Sequence, residues 1–199
     1  NKKVQVTYTV TQDNQLKIEY DVTSDKNTLI NMTNHTYFNL SGHNSGTIEA
    51  HKICIKASHY TPVYERLIPT GELTPVAETP FDFRTLKTIG DEIDAADTQL
   101  QYGQGYDHNY AIDDYDGTLQ KVASLEDPNS GRKMDVYTDQ PGIQFYAGNC
   151  ITPQTGKGGA SYQKRSGLCL ETQCFPDAIN QPQFQDVVYG PQRPYKTTT

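Results

Sequence analysis

The chain has no tryptophan, two methionines and four cysteines, and Cys54, Cys150, Cys169 and Cys174 show no Cys-x-x-Cys spacing. This excludes a zinc ribbon and a disulfide-dense scaffold, since a chain of 199 residues buries enough core to stand without staples. The even count permits disulfides, but the compartment argument points to free thiols in a reducing, cytoplasmic setting. Basic residues are also scarce: 17 Lys and Arg against 24 Asp and Glu give a formal net charge of −7. Such a surface repels polyphosphate, and the pairs Lys2-Lys3, Arg132-Lys133 and Lys164-Arg165 are isolated, so nucleic acid is not an expected partner. No apolar run approaches the roughly 18 residues of a membrane span, and the start lacks a charged-then-apolar signal profile. The expectation is a soluble protein with no membrane partner.

What the chain has instead is tyrosine, 14 residues of it. Tyr favours half-buried pleated surfaces and brings a polar tip to an apolar body, which points to β structure with polar clefts. Val4, Val6, Tyr8 and Val10 alternate with polar residues, Gln12-Asp13-Asn14 breaks the pattern, and Leu16, Ile18, Tyr20 and Val22 resume it, which predicts a hairpin. Further strands are predicted at Thr28 to Met32 and at Ile48 to Ala57, the latter with a bulge where the apolar phase shifts between Ala50 and Ile53. Four prolines between Thr61 and Phe83 predict a long ordered loop. Leu86, Ile89 and Ile93 give Thr85 to Gln101 one short helix or 3₁₀ turn at most. Strand signals then recur at Asn109 to Ile112, Leu119 to Leu125, Lys133 to Thr138, Ile143 to Ala147 and Leu168 to Thr172. Short strands separated by Gly and Pro turns indicate an all-β antiparallel sandwich or barrel.

Chemistry-bearing residues fall into a few clusters. His35, His43, His51 and His59 recur every eight residues, too far apart for ordinary zinc pairs, and coincident strand and loop lengths are the better reading. Asp113-Asp114-Tyr115-Asp116-Gly117 lacks the spaced ligands and terminal Glu of a calcium loop and reads as an acidic hairpin turn. His35 sits among Asn31, Asn34 and Asn39; these amides either line a site for a ligand rich in hydroxyls, a sugar, or tie a buried histidine at a strand end. Alternation places Leu168 and Leu170 on the core side and Cys169 and Glu171 opposite. Glu171 is then either a poorly solvated general base or a strand-edge surface residue. By the same parity Gln144 and Tyr146 share a face opposite Ile143 and Phe145, and Asp107 with His108 makes a third polar cluster.

Five ordered segments carry a resemblance. Asn34-His35-Thr36-Tyr37-Phe38-Asn39-Leu40, Leu67-Ile68-Pro69-Thr70-Gly71-Glu72, Gly105-Tyr106-Asp107-His108-Asn109, Pro141-Gly142-Ile143-Gln144-Phe145-Tyr146 and Cys169-Leu170-Glu171-Thr172-Gln173 with Pro176-Asp177-Ala178-Ile179-Asn180 resemble the galactose mutarotases, or aldose 1-epimerases. The resemblance runs nearly the whole chain and implies a large antiparallel β-sandwich. It also implies interconversion of the α and β anomers of galactose- or glucose-type aldohexoses, without cofactor or metal. On it, Glu171 matches the base that takes the anomeric hydroxyl proton, His35 the acid that protonates the ring oxygen, and Asp107 and Gln144 the sugar-hydroxyl contacts.

The family also uses a second histidine and an Asn-Arg pair from an N-terminal portion that does not appear here, and none of His43, His51, His59 or His108 lies in a matching context for that histidine. Tyr64 stands where an acidic residue is common, and Ala147 where Thr is usual. Residues 1–199 are therefore expected to form the C-terminal portion of one sandwich domain, incomplete at its N-terminus and in need of the remaining portion; the Met-less start fits a cut. Two other functions compete: a non-catalytic carbohydrate-binding module, and a glycoside hydrolase using Asp107 and Glu171.

Overall fold

The computed structural model describes residues 1–199. Its long hairpin, β1 (Lys2–Val10) and β2 (Leu16–Ser24), pairs in register from Lys2 opposite Ser24 to Val10 opposite Leu16. In chain order there follow β3 (Thr28–Leu29), β4 (Lys52–Ile55), β5 (His59–Tyr60), β6 (Thr74–Pro75) and β7 (Lys87–Thr88). After helix α1 (Thr98–Gly103) come β8 (Asp107–Ala111), β9 (Gln120–Glu126), β10 (Lys133–Thr138) and β11 (Gly142–Tyr146). The last are β12 (Gln154–Thr155), β13 (Ser161–Tyr162), β14 (Cys169–Gln173), β15 (Val188–Tyr189) and β16 (Tyr195–Thr198). No helix is long and apolar enough to cross a membrane.

The all-β antiparallel expectation holds. A five-stranded sheet, β14-β11-β8-β5-β6, and a four-stranded sheet, β10-β9-β4-β7, form the body, and β1-β2-β16 makes a separate three-stranded sheet. Alternation explains the core between the two larger sheets. Ile53, Ile55, Ala123 and Leu125 point inward from one sheet, with Val122 added where β9 bulges opposite Val136 and Tyr137, and Tyr110, Ile143, Phe145, Leu168 and Leu170 from the other, in one continuous buried cluster. Its aromatic centre is tight: Tyr106 stacks on Phe145 at 5.3 Å between centroids, and Phe83 meets Phe145 edge to face at 5.6 Å.

Several local expectations are corrected. The strand expected over Thr28 to Met32 is limited to the two residues of β3. The phase shift before Ile53 is a turn rather than a bulge: the His51 amide donates to the Ile48 carbonyl at 3.0 Å, and the strand begins only at Lys52. The apolar spacing of Leu86, Ile89 and Ile93 belongs to β7 and a 3₁₀ turn at Ile89–Asp91. The α-helix starts later, where the Asp97 carboxylate accepts from the Gln99 and Leu100 amides as a side-chain N-cap. Asp113–Gly117 is not a hairpin turn, because β8 and β9 lie in different sheets; Asp113 instead accepts from the Ser58 amide and hydroxyl.

Candidate active site

The outer face of the five-stranded sheet is a grid set by register. Gln144 on β11 lies between Glu171 on β14 and Asn109 on β8, and Tyr146 lies between Cys169 and Asp107. Residues two apart on a strand share a face, so the parity that sends Leu170 and Phe145 into the core puts these polar groups outside it together. Over them opens a pocket of about 400 Å³ whose lining includes His35, Asp107, Gln144 and Glu171, the four residues the resemblance singled out.

Each group is held by local structure. The segment carrying His35 runs beside the start of β14 through an isolated bridge, with Phe38 and Leu168 exchanging amide-to-carbonyl bonds of 2.8 and 3.0 Å. This brings His35 Nε2 to 3.5 Å from Glu171 Oε1. Asp107 begins β8 just after Gly105, whose φ of +130° and crowding against the Asn149 side chain leave no room for a Cβ. Asn149 in turn donates to the carbonyls of Gly103 and Tyr106, fixing the entry to the strand. The far wall, Val63 to Pro69, is a tight loop clamped by α1: Gln99 accepts from the Val63 amide at 2.7 Å and donates to its carbonyl at 2.9 Å.

The pocket floor is a relay of amides. Gln173 donates to Gln144 Oε1 at 3.3 Å and Gln144 donates to Asp107 Oδ1 at 2.8 Å, while the buried Nδ2 of Asn109 has no partner in the protein. Burial raises the Glu171 carboxyl above its ordinary value; the facing His35 pulls it partly back and Asp107 adds to the rise. Asp107 is likewise raised by burial, against the Gln144 hydrogen bond and His35. Two poorly solvated carboxylates thus stand beside a histidine in one pocket, an arrangement able to exchange protons.

Sequence reasoning misplaced two features. Asn31, Asn34 and Asn39 do not line this pocket but hold local structure, mostly through backbone groups. Asn31 exchanges bonds with Cys174, Asn34 accepts from the Thr36 amide, and Asn39 donates to the Gly46 and Ser166 carbonyls. His108 is not in a polar cluster with Asp107, because alternation turns it into the core against Phe81 and Tyr60, where burial pushes its pKa down to about 3. Asn109, Gln173, Tyr37 and Thr61 line the pocket without having been singled out. The i, i+2 relation to Asp107 and Glu171 was the available signal for the first two.

His35, Cys169 and Glu171 place one donor atom each within 4.8 Å of one another. The imidazole places Nδ1 3.3 Å from the Cys169 thiol and Nε2 3.5 Å from the Glu171 carboxylate.

Fold and pocket together define an antiparallel β-sandwich protein with a polar pocket, lined by two carboxylates and a histidine, on a sheet face. The family match then becomes specific: residues 1–199 fit the aldose 1-epimerase family, and the chain belongs to it. It is 44% identical over 200 residues to galactose mutarotase of Homo sapiens, covering 99% of this chain and 56% of that protein. Against aldose 1-epimerase of Escherichia coli the identity is 37% over 196 residues, with 98% of this chain and 56% of the other covered. A solved aldose epimerase homologue from C. elegans superposes with a TM-score of 0.87 at 30% identity, over 99% of this chain and 58% of that one. The chain thus spans about half the length of these relatives.

Proposed function

We propose that this chain carries the acid–base half of an aldose 1-epimerase site, acting on galactose- or glucose-type aldohexoses. Glu171 takes the proton from the anomeric hydroxyl while His35 gives one to the ring oxygen. The C1–O bond to the ring opens to the aldehyde, the C1–C2 bond rotates, and closure on the other carbonyl face returns both protons. A carboxylate alone is too weak a base for a sugar hydroxyl, so concerted donation at the ring oxygen is needed. The observation that carries this reading is the His35–Glu171 contact at 3.5 Å inside a pocket where burial lifts the carboxyl toward neutrality. Asp107, oriented by Gln144, accepts from sugar hydroxyls, and Gln144 contacts them through its remaining amide valences. Tyr37 and Tyr146 offer apolar faces to the ring.

Turnover on this reading needs the rest of the family domain, with residues 1–199 as the C-terminal portion of a single sandwich. Two facts support it: the relatives extend well beyond the matched length, and the apolar face of β1 has no covering layer. Four free thiols support a reducing, cytoplasmic setting. Anomer-exchange NMR with freshly dissolved α-galactose tests the function. With the remaining portion of the family domain supplied, accelerated exchange without glycoside cleavage is expected; binding without exchange supports a non-catalytic module, and released reducing sugar a glycoside hydrolase.

A further inference from the structure

Cys169 lies on the pocket face of β14 and is wholly buried, with its Sγ 3.3 Å from His35 Nδ1 and 4.0 Å from the His35 carbonyl oxygen. His35 itself is half-exposed, stands outside any regular element, and packs its ring only loosely, 5.2 Å from Tyr37 and 5.9 Å from Tyr146 between centroids. The terminal torsion of a histidine is broad and nearly two-fold, so the side chain has little intrinsic preference between one ring face and the other. A half-turn exchanges Nδ1 with a carbon and, at the tip, Nε2 with another carbon. Without a partner at Nδ1, the ring could present C–H instead of N–H to the reacting oxygen.

We propose that Cys169 is a positioning residue: its thiol engages Nδ1 of His35 and thereby keeps Nε2 turned toward Glu171 and the pocket. The consequence for turnover rests on the reading of His35 as the acid; the ring orientation does not. Burial first, then the charges of Glu171 and Asp107, hold the thiol in its protonated form, so against a neutral imidazole it is the donor to Nδ1 and the single ring proton sits on Nε2. When the ring carries two protons, the S–H turns away about Cβ–S and sulfur accepts weakly from Nδ1–H. A thiol therefore serves both protonation states without fixing either. A carboxylate at this position would stabilise the imidazolium and hold back the proton that the acid must release.

Three variants separate this role from simple packing. Cys169→Ser keeps a rotatable donor and acceptor, whereas Cys169→Ala removes it and Cys169→Val removes it while filling the volume in a residue that suits a strand. Long-range ¹H–¹⁵N NMR on the chain itself, at a pH where the ring is neutral, reads the tautomer. The wild type and Cys169→Ser should show His35 as one species with the proton on Nε2, and Cys169→Ala or Cys169→Val should show an averaged mixture. Where the protein turns over, the Ala and Val variants should lose about tenfold in kcat with KM within about twofold, and Ser should stay within about threefold of wild type. An unchanged tautomer and kcat in both Ala and Val variants would overturn the proposal, as would Ser behaving like Ala. A wild-type chain that shows the single tautomer but gives no anomerisation even with the remaining portion of the family domain supplied refutes the mutarotase reading and leaves the positioning role standing.

Discussion

β14 and β1 are both alternately patterned strands, and the fold treats them oppositely. Every residue of Cys169–Gln173 is buried on both faces, Leu170 against the core and Glu171 against the pocket wall, whereas every residue of Lys2–Val10 is exposed. The contrast is sharp even across one sheet. Val4 sits opposite Val22 on the same face, yet Val22 is 1% exposed and Val4 46%. Val22, Tyr20 and Ile18 are packed with Ile30 and with Tyr195, the neighbour of Val22 on β16; no apolar layer extends over β1. Alternation sets which side chains share a face, and only a second layer decides whether that face is a core. β1 is also a sheet edge, with half its backbone groups unpaired, which natural proteins seldom leave open along an apolar strand.

The largest effect is expected on the buried side. Glu171→Gln keeps shape and hydrogen-bonding capacity but cannot take a proton, so anomer exchange should fall by about 10²–10⁴-fold while sugar binding survives. Exchange retained near wild type would remove Glu171 from the mechanism. Next comes the core beneath it: Phe145→Ala should destabilise the chain by roughly 3–5 kcal/mol, read as a lowered denaturant midpoint at unchanged slope. A loss below about 1 kcal/mol would mean that the aromatic centre is far looser than its stacking distances indicate.

The pH dependence has a determinate sign on its acid side. A raised carboxyl holds its proton to higher pH, so activity should be lost on acidification earlier than for an ordinary glutamate.

How much of this was legible beforehand follows the same division. Parity along Ile143 to Tyr146 and Leu168 to Glu171 could be read residue by residue, because a period of two needs no knowledge of neighbours. The neighbours themselves could not be read. Asn31, Asn34 and Asn39 look like a sugar lining in one dimension, but Cys174, Gly46 and Ser166 come from elsewhere in the chain and claim their amides. His108 looks polar beside Asp107 until the aromatic wall of Tyr60 and Phe81 is folded against it. Asp97 announces its helix only once the Leu86 to Ile93 spacing is known to belong to β7 and a 3₁₀ turn.

The smallest expected effect is the most telling about β1. Val6→Thr changes a methyl to a hydroxyl on a side chain that is 37% exposed, on a strand that tolerates threonine, so stability should shift by no more than about 0.5 kcal/mol. Tyr8→Phe should do as little, removing one exposed hydroxyl that accepts from Asn34 Nδ2 at 3.2 Å. The two positions differ in what a covering layer would add. Tyr8 meets Asn34, next to His35, so a layer packed on β1 would also border the rim of the pocket. If the Val6 variant cost about 2 kcal/mol in denaturant unfolding, the face would be covered in solution and the contrast with β14 would collapse. If it stayed neutral alone and became costly once the remaining portion of a family domain was supplied, the open strand and the unfinished pocket would be two views of a single missing layer.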